Sequence, residues 1–264
     1  MRQLINKIFK IIVVLMMALL GLLPDTVSAL ATSSNNTSTT ITSTTNSQSN
    51  VNKQNQTQVL SNIISKGNQE ISRRLKNLTN LASLIDSATK LTASDKTTLL
   101  GEVSSTITGL NSLKTTLDNA TNISQAVSDV QSIVSEYRVY VLVYPKIHLI
   151  KVADDQQAIE LKLTTLASKL ASRFTNHSSV NNLVTLKTDL SDMNSQISTA
   201  QAISSSVEST VITLQPTDYN ANHTVLEGYN SQLQTARSDI ISAISYAKTI
   251  ILSLQASNST NSAK

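Results

Sequence analysis

Residues 137–156, YRVYVLVYPKIHLIKVADDQ, differ from the rest of the chain and decide its fold. Three of the six tyrosines fall within eight residues, in an apolar run that a single proline interrupts. The β-branched and aromatic residues of 138–144 would suit a strand, but the flanking segments have a helical period and no partner strand can be placed elsewhere. We therefore predict one helix over 123–174, apolar on every side at its middle, enclosed by other helices, and kinked or interrupted at Pro145.

The segments before and after this one have apolar residues three and four positions apart, which is the period of amphipathic helices. The sequence TASD at 92–95 predicts a capping box at the start of the second helix, with Asp95 reaching back. Short polar loops near 92–95, 119–122, 175–180 and 215–222 predict antiparallel neighbours. The repeated apolar positions are Ile64, Ile71, Leu78 and Ile85, then Val103, Leu110 and Leu117, then Leu186, Leu190, Met193, Ile197 and Val207, and finally Leu226, Leu233, Ile240, Ala247 and Leu254.

These patterns predict an all-α fold of long antiparallel helices resembling a coiled coil. Two arrangements fit: two tandem three-helix bundles that share the long central helix, or one elongated five-helix bundle. In the first arrangement the N-terminal bundle covers 53–144 and the C-terminal bundle covers 145–256. The tyrosine-rich segment is then the joint between them, with its hydroxyl groups reaching water or backbone at the edges.

The first 31 residues have the pattern of a secretory signal peptide. Three basic residues precede the apolar run Ile11–Leu23, which Pro24 ends, and small residues allow cleavage after Ala29 or Ala31. The alternative is an uncleaved membrane anchor, but the apolar run is shorter than the roughly 20 residues of a typical span. We therefore expect a secreted or extracytoplasmic protein of the cell envelope, with no transmembrane span after cleavage.

The segments next to the termini are predicted to be disordered. Residues 32–52 are almost wholly Ser, Thr, Asn and Gln and have too few apolar side chains to offset the entropy of ordering. A short polar tail is predicted over 257–264. The chain has no cysteine, so packing alone must hold the exported protein together.

The charge of the chain argues against a nucleic-acid partner. Residues 1–31 hold three basic and one acidic side chain, so their removal lowers the formal net charge from +4 to +2. The chain also has no basic stripe with interleaved aromatic residues. A protein or a cell-surface polymer is the expected partner, and spare apolar faces leave a homo-oligomer open.

Catalytic motifs are missing from the sequence. There is no cysteine and no G-x-S-x-G, and the glycines stand singly within helical patterns rather than in a phosphate-binding loop. His148 and Asp155, with Asp154 and Glu160 nearby, were the best metal-ligating group, but Glu-x-x-His pairs on facing helices are missing. We expect instead that Asp154 and Asp155 form a solvated acidic turn with His148 at its rim, and we expect no enzyme activity, no metal and no cofactor.

The tyrosine-rich segment is the one candidate for a ligand site. Tyrosine is a frequent binding anchor, although tyrosines at helical spacing usually belong to a core. The cluster of packing or ligand-binding residues predicted here comprises Tyr137, Arg138, Tyr140, Tyr144, Pro145 and His148.

Two segments carry a resemblance to other proteins: Y-R-x-Y-x-L-x-x-P at 137–145 and L-x-P-x-D-Y-x-A at 214–221. Over most of 60–255 the chain resembles a group of predicted-secreted helical proteins of bacterial candidate phyla. That group has no assigned activity, so the resemblance implies an architecture and a compartment but no site.

The sequence therefore predicts an exported helical scaffold, or an adhesion or interaction protein of the cell envelope, without catalytic activity. Long helices provide an extended surface, and no set of convergent reactive groups is apparent. The alternative is a helical bundle that binds a small molecule or a metal near the central tyrosines. A third option is a secreted regulator of an enzyme.

Overall fold

The computed structural model describes residues 48–176 and 182–261, and nearly all of them are helical. No strand occurs among these residues, so the predicted all-α fold is confirmed and the segment 139–143 is helical rather than extended. A π-helical turn at Val139–Val143 separates the third and fourth helices. The helices are α1 (Gln48–Ser87), α2 (Ala93–Asp118), α3 (Ile123–Ser135), α4 (Tyr144–Asn176), α5 (Leu183–Val211), α6 (Pro216–Ala221) and α7 (Tyr229–Asn261).

The helices extend further toward both termini than predicted. Helix α1 begins at Gln48, inside the predicted spacer 32–52, and α7 continues to Asn261, inside the predicted tail 257–264. Ser, Asn and Gln each cost only a fraction of a kcal/mol in a helix, so a helix that is already nucleated can continue through them. The predicted signal peptide and the spacer before residue 48 lie outside the described residues.

The described chain forms two compact bodies. The first body contains α1 through Leu84, α2 from Leu100, and α3 with the residues up to Val139. The second body contains Ile85–Leu99 and the chain from Tyr140 onward. The turn between α1 and α2, residues 88–92, thus belongs to the second body.

Three helices pack closely in the first body. Gly67 of α1 is the point of closest approach: a Cβ atom there would lie 2.5 Å from Cδ2 of Leu117 on α2 and 2.8 Å from Cγ2 of Val130 on α3. Only glycine allows this packing. The buried apolar residues of this body include Ile71, Leu78 and Leu81 from α1, Val103, Leu110 and Leu117 from α2, and Ala126 and Ile133 from α3.

The core of the second body is formed by α4, α5 and α7, and each of these helices packs against the other two. The apolar stripe predicted for α5 is buried as expected. Helix α7 begins at Tyr229 rather than at Leu226, because Gly228 has a positive φ of 88° that ends the preceding turn. Core residues include Ile159, Leu163, Leu166 and Leu170 from α4, Leu186, Met193, Ile197 and Ala200 from α5, and Ala236, Ile240, Ala243, Ala247 and Ile250 from α7.

The prediction of a single helix over 123–174 is wrong. Helix α3 ends at Ser135, and Arg138 adopts a left-handed conformation with φ of 39°, which an α-helix cannot accommodate. Pro145, where the interruption was predicted, lies in the first turn of α4. The π-helical turn Val139–Val143 runs directly into α4, so Pro145 follows helical backbone. Proline lacks the N–H of a regular α-helical bond and its ring crowds the carbonyl group four residues earlier, which here belongs to the π-helical turn.

The loop predicted over 215–222 also contains a helix. Helix α6 occupies Pro216–Ala221, with proline at its start. The backbone N–H of Gln215 donates to Oδ2 of Asp218 at 2.7 Å, which satisfies a donor that the short helix leaves without a partner. The sequence segment that carries part of the resemblance is therefore a capped helical turn.

By length and composition alone, one helix among the described residues, the segment Tyr229–Ser257 of α7, is apolar enough to cross a membrane. The core helix of a water-soluble protein meets the same criterion. Apolar residues of this segment, such as Ile240 and Ala243, are fully buried in the core of the second body.

The glycines of the first body allow a matched test of its packing. We expect Gly67→Ala to lower the free energy of unfolding by about 1 kcal/mol or more, because overpacking outweighs the gain in helix propensity. Gly101→Ala on α2 should raise it by up to about 1 kcal/mol, because a Cβ there meets nothing within 4 Å. Urea denaturation of both variants measures the difference, and equal effects of the two substitutions would contradict the packing described.

Candidate functional site

The predicted tyrosine cluster lies where α3, the π-helical turn and α4 follow one another. The rings of Tyr140 and Tyr144 are paired, with centroids 6.5 Å apart and planes inclined by 33°. The predicted residues are all half-buried except His148, which is exposed. Tyr137 and Arg138 follow α3, Tyr140 lies in the π-helical turn, and Tyr144, Pro145 and His148 lie in the first turns of α4.

Tyr137 packs within the first body, whereas Tyr140, Tyr144 and His148 belong to the second. A Cβ atom on Gly109 of α2 would lie 2.6 Å from Cε1 of the Tyr137 ring and 2.7 Å from its hydroxyl oxygen, so the ring rests directly on the helix backbone. Burial raises the pKa of the Tyr137 hydroxyl, and the negative charge of Glu136 adds to this effect. Tyr137 therefore serves packing, and the ring pair that remains as a candidate ligand contact is Tyr140–Tyr144.

The aliphatic residues between the tyrosines are mostly buried. Val139, Leu142 and Val143 are at most 1% exposed, whereas Val141 is 41% exposed. The prediction that this segment is apolar and enclosed on every side is therefore wrong at the π-helical turn. One side of the turn faces the core, and Val141 faces solvent.

A row of buried polar side chains on the first half of α4 was missed by sequence reasoning. These side chains are no more than 4% exposed, and they include the two aspartates predicted to form a solvated turn. That prediction is wrong, because Asp154 and Asp155 lie within α4 rather than in a turn and are only 3% and 4% exposed. The row consists of Lys146, Asp154, Asp155, Gln156 and Glu160.

Lys146 is fully buried and bonds to the end of α5. Its Nζ donates a hydrogen bond to the carbonyl oxygen of Leu214 at 2.8 Å. The N–H of Leu214 in turn donates to the carbonyl oxygen of Val211, the last residue of α5. A cation is favourable at a helix C-terminus, where the carbonyl oxygens carry partial negative charge. Leu214 is the first residue of the second segment that carries the sequence resemblance, and Lys146 directly follows the first segment.

Asp154 completes the N-terminal cap of α2. The N–H of Asp95 donates to Oγ1 of Thr92 at 3.1 Å, which is the first half of the predicted capping box. The second half differs from the prediction: the N–H of Thr92 donates to Oδ2 of Asp154 at 2.9 Å rather than to Asp95. The Asp95 carboxylate instead accepts a hydrogen bond from Oγ1 of Thr92 at 2.7 Å. A side chain of α4 thus satisfies the backbone of the turn before α2.

Three carboxyl groups meet at this cap, and we call Asp95, Asp154 and Glu208 the carboxyl cluster. Asp95 and Asp154 are 5% and 3% exposed, and Glu208 of α5 is half-buried. Burial raises the pKa of Asp154 to about 7, and the negative charges of Asp95 and Glu208 add to this effect against the opposing hydrogen bond from Thr92. Burial and the neighbouring Asp95 also raise the pKa of Glu208.

Asp155 is buried beside the cluster but is paired with basic side chains. Nζ of Lys151, one turn earlier on α4, lies 3.0 Å from its Oδ2. Nζ of Lys90, in the α1–α2 turn, lies 3.7 Å from its Oδ1. Asp154 and Asp155 are adjacent in sequence but differ in their partners. The ion pairs of the described residues include Asp155 but not Asp154.

Two further polar side chains of α4 connect it to α7 and α5. Nε2 of Gln156 donates to the carbonyl oxygen of Leu233 at 2.9 Å. Oγ of Ser204 lies 3.0 Å from both carboxylate oxygens of Glu160. Burial raises the pKa of Glu160 to about 7, and the Ser204 hydroxyl only partly offsets this effect. Both contacts hold α4 in place within the core.

The arrangement of these groups indicates what the second body can do chemically. Its buried polar side chains bond to helix ends and to neighbouring helices, and these contacts position the helices relative to one another. Among residues 48–176 and 182–261, no group of three or more His, Asp or Glu side chains is arranged to hold a metal ion. His148 is exposed and Asp155 is paired with lysines, so the metal-ligating group considered from sequence is not assembled.

In comparisons with protein-family models, curated proteins and solved structures, nothing matched this chain. The fold defines an all-α protein of packed helices.

Proposed function

We propose that this protein is an exported helical scaffold or interaction protein of the cell envelope that does not act as an enzyme. The observation that carries the proposal is that the buried polar side chains of the second body hydrogen-bond to helix ends and to neighbouring helices. Lys146 binds the end of α5, Asp154 caps α2, and Glu160 contacts Ser204. A binding role needs only exposed helix faces, and the long helices provide them.

The outer faces of the helices retain large apolar side chains that an interaction could bury. On α3, Val127 and Val134 are 39% and 46% exposed and lie seven positions apart, so both lie on the same face of the helix. Positions spaced by seven form the seam along which two helices pack in a coiled coil. This face of α3 supports contact with a helical partner, which is either another protein or a second copy of the chain.

The proposed face can be tested by placing charge on it. The double variant Val127→Asp and Val134→Asp should lose at least tenfold in binding to a partner recovered from cell-envelope extract, or in self-association measured by sedimentation. Charged side chains at the centre of an apolar interface cost several kcal/mol when they are not paired. The circular dichroism of the variant should remain that of the parent, because both valines are exposed.

A matched control carries the same charge elsewhere on α3. Ser128→Asp and Ser132→Asp add two carboxylates about 100° or more around the helix from both valines and should leave binding unchanged. If the valine and serine variants bind equally well, α3 is not the interaction face.

The proposed export rests on the N-terminal sequence pattern. We expect the mature chain to begin at Leu30 or Thr32, after cleavage behind Ala29 or Ala31. N-terminal sequencing and intact mass of the protein from the extracytoplasmic fraction measure this directly. A chain that retains Met1 to Leu23 and sediments with membranes would show an uncleaved anchor instead.

A ligand site beside the paired rings of Tyr140 and Tyr144 is a second candidate, because this pair is half-buried and His148 lies exposed one turn further along α4. On this hypothesis a metal ion, haem or a cell-wall fragment raises the melting temperature of the full chain by several degrees, and Tyr140→Ala removes the shift. Tyr229→Ala, a similarly half-buried tyrosine at the start of α7, is the control and should keep the shift. On the scaffold proposal none of these compounds changes the melting temperature.

A further inference from the structure

The carboxyl cluster has fewer hydrogen-bond donors than acceptors. Oδ2 of Asp154 accepts from the N–H of Thr92, but Oδ1 is buried and has no hydrogen-bond partner. The Asp95 carboxylate accepts from the Thr92 hydroxyl. A buried oxygen without a donor costs about 1 to 3 kcal/mol, and more when it carries charge. Asp154 is 3% exposed, so water does not readily supply the missing donor.

A proton would satisfy this oxygen. Thr92 brings the carboxyl groups of Asp154 and Asp95 together, because its backbone N–H donates to Asp154 and its hydroxyl donates to Asp95. The negative charge of Glu208 adds to that of Asp95 beside Asp154. Two carboxylates cannot form a hydrogen bond unless one of them is protonated. When Oδ1 of Asp154 carries a proton, it donates to the Asp95 carboxylate while Oδ2 keeps the Thr92 N–H. When the proton leaves, two buried negative charges face each other.

The basic side chains around the cluster bond to other groups. Lys90 from the α1–α2 turn and Lys151 from α4 pair with Asp155. Lys96 from α2 donates to the carbonyl oxygen of Asp86 at 2.7 Å. Glu208, the member of the cluster that α5 contributes, adds a further negative charge beside Asp154. No ion pair among the described residues includes a carboxyl group of the cluster. A proton can therefore neutralise the negative charge of Asp154.

We propose that Thr92, Asp95 and Asp154 form a proton-dependent link that holds the α1–α2 turn against α4. The protonated link is closed, because every polar atom in it has a partner. The deprotonated link is weakened by repulsion between Asp154 and its neighbours, and the turn then separates more readily from α4. The second body of this protein thereby responds to the pH of its surroundings.

The sign of the pH effect follows from the pKa of Asp154. Its value is about 7 in the folded chain, above the ordinary 3.8, with burial as the main cause. Between these two values the folded state keeps a proton that the unfolded chain has lost. The contribution of Asp154 to stability should therefore be complete below about pH 4, fall as the pH rises to about 7, and level off above that range.

The substitution Asp154→Asn in the full chain tests the link. Asparagine keeps an oxygen for the N–H of Thr92 and supplies an N–H to Asp95 at every pH. In the parent, urea denaturation gives the ratio of folded to unfolded protein at each pH. Between pH 5 and 7, loss of the Asp154 proton should lower this ratio by up to about tenfold per pH unit. In the Asp154→Asn variant this part of the pH dependence should disappear, and the variant should be more stable than the parent at pH 8. A slope identical to that of the parent would overturn the proposal.

Glu160→Gln is the matched control, because Glu160 is a second buried carboxyl with a raised pKa, also about 7, and contacts Ser204 rather than the turn. In the parent, limited proteolysis should cut residues 85–99 faster at pH 8 than at pH 5, because the deprotonated link releases the α1–α2 turn more readily. Both substitutions should change the pH dependence of global stability, but only Asp154→Asn should abolish this difference in cleavage between pH 5 and pH 8. If Glu160→Gln abolishes it equally, the effect is global and the link is disproved.

The protonation of Asp154 can also be measured by NMR in the parent protein, without any substitution. With ¹³C in the aspartate carboxyl groups of the parent protein, one carboxyl signal should titrate near pH 7. If all aspartate signals finish titrating below about pH 5, as ordinary aspartates do, Asp154 holds no proton at neutral pH and the link does not exist.

Discussion

The enclosure of the first half of α4 is the constraint on which the second body depends. Over 146–160 the helix is buried on most of its circumference, so each buried side chain there must find its partner inside the protein, whereas His148 is exposed. Aliphatic residues such as Ile150 and Ile159 do so by packing. Lys146 and Asp154 do so by bonding to the ends of other helices, where unpaired backbone groups are available. The same burial that forms the core therefore also selects the polar contacts.

The sequence predicts a helix well where apolar residues repeat at a regular spacing along it. It predicts the end of a helix poorly where that end depends on the backbone conformation of one residue. The seven-residue spacing of Ile71 and Leu78 predicted a buried stripe, because every turn of α1 meets the same neighbours. The break before α4 depends on the left-handed conformation of Arg138, a residue type with no preference for it. Beside Pro145 the helix does depart from α-helical geometry, as the π-helical turn Val139–Val143, but the break itself lies earlier, at Arg138.

The candidate site was predictable only in part, for a related reason. The tyrosines were conspicuous by composition, and the structure does pair Tyr140 with Tyr144. The carboxyl cluster draws on three separate helices, and Thr92 and Asp154 are 62 positions apart, so no local spacing reveals it. One signal was present: Asp154 follows an apolar run predicted to be enclosed, within the same helix. A charged residue on an enclosed helix must be buried, and that inference contradicts a solvated turn.

Buried carboxyl groups bear on the proposed scaffold role because they cost stability that a purely mechanical bundle could avoid. Apolar residues of similar volume at Asp154 or Glu160 would pack without a desolvation penalty, and such replacements are often neutral or stabilising. Polar contacts at these positions do what apolar packing cannot: they determine which helix end meets which side chain. Asp154 binds one specific N–H, that of Thr92, and so fixes the register of the α1–α2 turn against α4. Because that contact also involves a proton, its strength depends on pH, whereas the aliphatic core around it is indifferent to pH.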